Sequence, residues 1–306
     1  MRVRTVRTDD GARLHVDITG DPDGAVTVVF AHGWTLRAQS WTPVLRSLRS
    51  LAHDEDVGGT RFVRYDQRGH GQSTWGNTSP VTVDRLGEDL YAVLEAVAPT
   101  GPVVLAGMSM GGMTVMALAA AHPSYIQERV TGVVLVSTAA GGLADRHPRR
   151  GRFAHLARNL PAPLLAVGQR YPGGIDRARR LLPPKYRIHQ RQLQRVGFGP
   201  AAPASAVRAC AEMIHATPAR TIVDLYPALL AYDNRSQLIA LAGAQVAVVV
   251  GRNDVLTPVR HSRELADSIP SATLHVEPDT GHMLMMERPH VVAAPIRKMV
   301  YGTVKT

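Results

Sequence analysis

Val103-Val104-Leu105-Ala106-Gly107-Met108-Ser109-Met110-Gly111-Gly112 is the stretch on which the reading of this chain turns. Four apolar residues run into a Gly-x-Ser-x-Gly pattern, and an apolar helical run from Met113 to Ala121 follows. Strand, sharp turn and helix in immediate succession lift a serine hydroxyl clear of a sheet edge. Glycines on both sides let the backbone turn tightly enough to hold Ser109 in a strained conformation. The pentapeptide alone would say little, because Gly and Ser are common in loops; the flanking elements give it weight.

Working outward, strand-like runs fall at 3–8, 14–19, 26–31, 62–65, 103–107, 133–136, 246–250 and 274–277. The first two sit close together around Asp9-Asp10-Gly11, as an antiparallel hairpin does. The later runs are continuous and valine-rich, as strands buried on both faces are. Helical patterns at 41–51, 83–98, 112–121, 262–268 and 289–299 alternate with them, which implies a mainly parallel sheet flanked by helices. Between 136 and 246 the rhythm breaks, and about 110 residues pass without a strand, far beyond an ordinary crossover. Helical candidates there are 149–160, 176–182, 186–196 and 204–216. The expected organisation is a core of residues 1–142 and 221–306, with a helical cap inserted at 143–220 and a return into the core over 221–242.

The length of 306 residues suits one large α/β domain, and 45% hydrophobic residues is ordinary for a globular protein. No apolar run approaches the ~20 residues of a membrane span. The opening residues alternate like a strand and lack the apolar core of a secretion signal, so a cytoplasmic location is expected. The single cysteine, Cys210, excludes an intrachain disulfide and a cysteine-based zinc site. Neither a phosphate-binding loop of the Walker type nor the His/Glu spacing of zinc proteases occurs. An aromatic content of 5% argues against a base-stacking nucleic-acid surface.

The net charge of +10 is unevenly placed. Residues 143–220 hold fourteen Arg and one Lys against Asp145, Asp176 and Glu212, a net of +12, which leaves the remainder near −2. Two readings of this cap stay open: a solvated surface in an arginine-rich composition, or attraction of an anionic partner such as an acidic carrier protein or a carboxylated small molecule.

A serine hydroxyl needs an adjacent base. Asp279-Thr280-Gly281-His282 follows the last strand-like run and offers His282 on a loop at the carboxyl edge of the sheet. Asp254 in Gly251-Arg252-Asn253-Asp254 follows the preceding strand and is the expected orienting acid, with Asp279, Asp224 and Asp233 as competitors. The chain order is nucleophile, acid, base. All three residues follow strand carboxyl ends, where open α/β sheets build their sites. An oxyanion hole requires two backbone N–H groups. Met110, next after Ser109, supplies one, and Trp34 in Phe30-Ala31-His32-Gly33-Trp34-Thr35 is the expected other. His32 is read as a loop organiser, and the Trp34 indole as either pocket lining or packing. Candidate substrate-binding residues are Trp34, Met108, Phe198 and Met213; Leu164 and Ile214 of the cap join them as either acyl pocket or cap core.

Together these residues resemble the α/β-hydrolase superfamily over nearly the whole chain. The matching elements are His32-Gly33-Trp34, Asp66-Gln67-Arg68-Gly69-His70-Gly71-Gln72-Ser73, the turn around Ser109, Gly251-Arg252-Asn253-Asp254, and Gly281-His282 followed by Glu287-Arg288-Pro289. The resemblance implies a mostly parallel eight-stranded sheet with a helical cap after strand 6, and a structural rather than catalytic loop at 66–73. It also implies Ser-Asp-His catalysis without metal or organic cofactor, in the manner of bacterial esterases and cofactor-free haloperoxidases. Serine at 109, not aspartate, argues against epoxide-hydrolase or haloalkane-dehalogenase chemistry. Met108 departs from the histidine or polar residue that many relatives carry there. The expected activity is hydrolysis of an ester, lactone or thioester of a small-molecule acyl substrate. The alternatives are a cyclase, acyltransferase or perhydrolase on the same scaffold, or a binding protein that has lost catalysis.

Overall fold

A computed structural model describes residues 2–50, 59–144, 170–181 and 187–304. One eight-stranded sheet is built from β1 (Arg2–Arg7), β2 (Arg13–Gly20), β3 (Val26–Ala31), β4 (Thr60–Tyr65), β5 (Val103–Met108), β6 (Val130–Val136), β7 (Gln245–Gly251) and β8 (Ala272–Glu277). Its spatial order is β1-β2-β4-β3-β5-β6-β7-β8. The expected hairpin is present, with Arg7 opposite Arg13, and β2 also meets β4 antiparallel. From β4 to β8 every pairing is parallel.

The valine-rich strands are buried because helices cover both faces. Successive side chains alternate between two cores, as a period of two requires. Val29, Val63, Leu105, Val133 and Val248 face the side of α2 (Val83–Val97) and α3 (Met110–Ala121). Val28, Phe62, Val104, Val134 and Val249 face the opposite side, with α1 (Thr42–Ser50) and the last helix, Pro289–Val304. The Thr82 hydroxyl starts α2 by accepting the Arg85 N–H. Every residue of α3 from Met110 to Ala119 is buried, which explains why that helix is apolar all round.

Elements the sequence pattern did not mark have physical reasons for being silent. Helix α4 (Pro123–Arg129) has seven residues and opens on a proline, too short for a period to show. Between β6 and β7 lie α5 (Pro172–Arg180), α6 (Arg187–Gly197) and α7 (Ala204–Ala216), over the helical patterns at 176–182, 186–196 and 204–216, and the unmarked α8 (Ala219–Ala231). Helix α8 falls in the stretch expected only as a return into the core; it holds Pro227, and Thr221, Leu225 and Leu229 form its buried stripe. After β7 come α9 (Val259–Ser268), β8, α10 (Leu284–Glu287) and α11 (Pro289–Val304). The helix expected at 149–160 and the pocket residue Leu164 lie outside the described residues. Among the described residues no helix is long and apolar enough to cross a membrane.

Candidate active site

Strand β5 delivers Ser109 directly into α3. Ser109 has φ 53° and ψ −119°, a conformation that costs an L-residue on the order of 1–3 kcal/mol and persists only where its surroundings impose it. Those surroundings are visible. The Ser109 N–H donates to the Val136 carbonyl at 2.9 Å, and its own carbonyl accepts the Thr138 hydroxyl at 2.7 Å. A Cβ on Gly107 would run into the Gly111 backbone, and one on Gly111 into the Ala31 carbonyl of β3. Both glycines are therefore required by close backbone approach.

His282 lies on the loop between β8 and α10 and is buried. Its Nδ1 is 2.9 Å from Asp254 Oδ2. Since a carboxylate accepts only, Nδ1 carries the proton and Nε2 is left as an acceptor. The Asp254 carboxylate is itself held: Oδ1 accepts the N–H groups of Leu256 and Thr257, each at 2.9 Å, and Oδ2 accepts the Thr257 hydroxyl at 2.8 Å. Thr257 Oγ1 also lies 3.2 Å from His282 Nδ1, so one side chain touches both partners. Sequence reasoning missed Thr257, although an Asp-x-x-Thr run ahead of Pro258 is a legible turn signal.

The loop after β3 is set by two buried histidines in edge contact, with ring centroids 5.0 Å apart. His32 Nδ1 donates to the Gly33 carbonyl at 2.8 Å, while Nε2 accepts the Gln67 N–H at 2.9 Å. His70 Nδ1 donates to the Arg68 carbonyl at 3.0 Å, and Nε2 accepts the Thr35 N–H at 3.3 Å. Burial lowers His32 to about 4 and His70 to about 3, with repulsion from His32 adding to the second. Both rings are neutral at pH 7 and serve as donor-acceptor bridges. The loop 66–73 thus acts as a buttress, and Asp66 accepts Ala38 N–H at 2.8 Å and Gln72 N–H at 2.9 Å.

The segments between β6 and β7 attach to both loops. The Thr217 hydroxyl donates to the Thr35 carbonyl at 2.9 Å, and Tyr226 stacks on Trp34 with centroids 5.6 Å apart. At the other side Met283 N–H donates to the Gly197 carbonyl at 2.8 Å. Glu287 is buried and grips both strands of this junction, accepting Gly281 N–H at 2.9 Å and Gly199 N–H at 2.8 Å. Burial raises its carboxyl above the usual range despite those donors.

A cavity of about 310 Å³ opens over Ser109 and is also lined by Trp34, Met110, Thr257 and His282. Met110 opens α3, so its N–H is among the helical donors without an intrahelical acceptor. Three expected pocket residues belong elsewhere. Met108, Phe198 and Met213 are not among the lining residues and lie in the apolar core on the α1 side. Strand alternation sends Met108 to the same face as Val104 and Ala106. On α7 the stripe Ala206, Val207, Cys210 and Met213 turns into the core, which leaves Ile214 to meet the cavity. The competing acids Asp224 and Asp233 pair with Arg220 and Arg235. Among the described residues no cluster of three or more His, Cys, Asp and Glu is placed to hold a metal ion.

Comparison with known proteins agrees with this architecture. Residues 26–289 match the family model described as alpha/beta hydrolase fold. A putative carbamate hydrolase of Caulobacter sp. is 26% identical over 96% of this chain and 97% of its own length. A putative non-heme bromoperoxidase of Mycobacterium tuberculosis is 27% identical over 94% of this chain and 96% of its own. Among solved structures, an esterase from Rhodococcus sp. superposes with a TM-score of 0.75 at 22% identity, covering 99% of this chain and 100% of that one. With most of its length inside the family match, the chain belongs to the α/β-hydrolase fold family.

Proposed function

We propose that this protein is a serine hydrolase that cleaves an ester, lactone or thioester through Ser109, His282 and Asp254, beside the helices α6, α7 and α8 that line the cavity. The observation that carries the reading is the 2.9 Å contact between His282 Nδ1 and Asp254, together with a cavity that Ser109 and His282 share. Asp254 fixes the tautomer, so His282 Nε2 takes the proton of Ser109 as Oγ attacks the substrate carbonyl. The N–H groups of Met110 and Trp34 stabilise the tetrahedral oxyanion, each worth roughly 3 kcal/mol. Collapse of that intermediate breaks the bond to the alcohol or thiol, which leaves with the proton from His282. Water then attacks the acyl-enzyme, giving its proton to the same imidazole, and the acid departs.

A second reading is favoured by the likeness to the bromoperoxidase: hydrogen peroxide in place of water at the second step would release a peracid from the same acyl-enzyme. Product analysis with and without peroxide distinguishes the two. Hydrolysis itself is tested with p-nitrophenyl butyrate. The expected result is turnover that falls at least about 1,000-fold in Ser109→Ala; unchanged turnover in that variant would overturn the reading.

A further inference from the structure

The cavity divides by chemistry. Its polar lining residues, apart from the Trp34 indole, are Thr35, Ser109, Thr257 and His282, of which Thr257 and His282 are in contact. The other lining residues are apolar, and among the described residues no Asp, Glu, Lys or Arg lines the cavity. Helix α6 shows how the sequence arranges this. Leu193, Val196 and Gly197 fall at helical spacing and line the cavity, whereas Arg191 and Arg195 lie on the exposed side. Helix α7 adds Ile214, and α8 adds Ile222 and Leu229 two turns apart. Arg170, Arg177, Arg191, Arg195, Arg208 and Arg220 are all exposed. The basic charge of this region, where described, therefore faces outward.

We propose that the ester carries an uncharged, apolar chain of medium length on one side of its carbonyl, and that the cavity disfavours a chain ending in a carboxylate despite the protein's charge of +10. This assignment rests on Ser109 being the nucleophile. A carboxylate driven against these walls would lose its hydration without gaining a partner. A volume of about 310 Å³ corresponds to roughly ten groups of ~30 Å³, the share of one water in the liquid. Each methylene buried there tightens transition-state binding about fourfold. The acyl and alcohol sides of the ester are separable by experiment.

Two series are measured with the full chain: p-nitrophenyl esters from acetyl to dodecanoyl, and acetate esters of alcohols from methyl to dodecyl. The expected result is a rise in kcat/KM of about threefold to fourfold per methylene in one series, levelling beyond roughly eight carbons. The p-nitrophenyl hemisuccinate is expected to react at least about 100-fold more slowly than the pentanoate. Flat or falling values in both series, or a preference for the hemisuccinate, would overturn the assignment. Binding of linear 2-alkanones to Ser109→Ala, followed by calorimetry, probes the cavity without chemistry. Kd should tighten with each methylene, and Ile214→Glu should flatten that trend; a Kd independent of chain length overturns the assignment whatever the esters do. Tightening ketone binding without any ester turnover would refute the hydrolase reading alone.

Discussion

The carboxylate of Glu287 accepts the N–H of Gly281 at 2.9 Å, one residue before the imidazole that pairs with Asp254. Its other oxygen holds Gly199, so a single buried side chain ties the His282 loop to the end of α6. Glu287→Ala strands two buried N–H groups, at about 1–3 kcal/mol each. We expect the urea midpoint to drop, kcat to fall at least about tenfold and KM to rise, since both the histidine loop and the end of the cavity-lining α6 lose support. Glu287→Gln keeps one acceptor and should recover part of both.

Thr257 touches both Asp254 and His282. Thr257→Val keeps the shape and removes the hydroxyl, which should cost about 0.5–1.5 kcal/mol of stability. Ester hydrolysis should slow by a few fold to about tenfold, because the two backbone N–H bonds to Asp254 Oδ1 remain. Thermal unfolding and steady-state kinetics check both numbers.

Arg68 is fully buried and bonds Asp89 on α2 and Asp10 in the β1–β2 turn. Arg68 draws the Asp10 carboxyl well below its usual range. Arg68→Met leaves two carboxylates without their main partner, and removal of one side of such a pair costs about 3–5 kcal/mol. The unfolding temperature should fall accordingly, while kcat/KM per folded molecule stays near wild type.

The neutral histidines behind the Trp34 loop set an acid limit. In the unfolded chain they protonate near 6.5, whereas in the fold His32 waits until about 4 and His70 until about 3. Between pH 6.5 and 4 the unfolded state therefore binds more protons, so stability is full above pH 6.5 and declines as pH falls. At pH 4.5 the loss is roughly 2–3 kcal/mol per histidine, at 1.36 kcal/mol per pKa unit. Urea midpoints at pH 7 and 4.5 measure it, and His70→Gln should shrink the difference between them. An unchanged difference would contradict the assignment.

Much of this molecule was legible in its sequence, and the gaps have causes. Runs such as Val103–Met108 and Gln245–Gly251 are buried on both faces, so continuous valine gave their positions within two or three residues. Ser109 and Asp254 stood out because each follows such a strand, and His282 because it follows the last, partly exposed strand β8. The cavity walls were less readable. Met213 and Ile214 are apolar neighbours, and the rotation of α7 buries Met213 in the core while Ile214 also reaches the cavity. Met108 misled in the same way, through strand parity. Glu287 and Thr217 act on backbone groups far away in the chain, and no local pattern records such a bond.

The central claim is that His282 and Asp254 activate Ser109. An activated fluorophosphonate followed by intact-mass and peptide analysis tests it most directly. We predict one adduct, on Ser109, absent in Ser109→Ala and formed at least about 100-fold more slowly in His282→Ala. A folded wild type that resists the probe, or an adduct that persists in Ser109→Ala, would contradict the account.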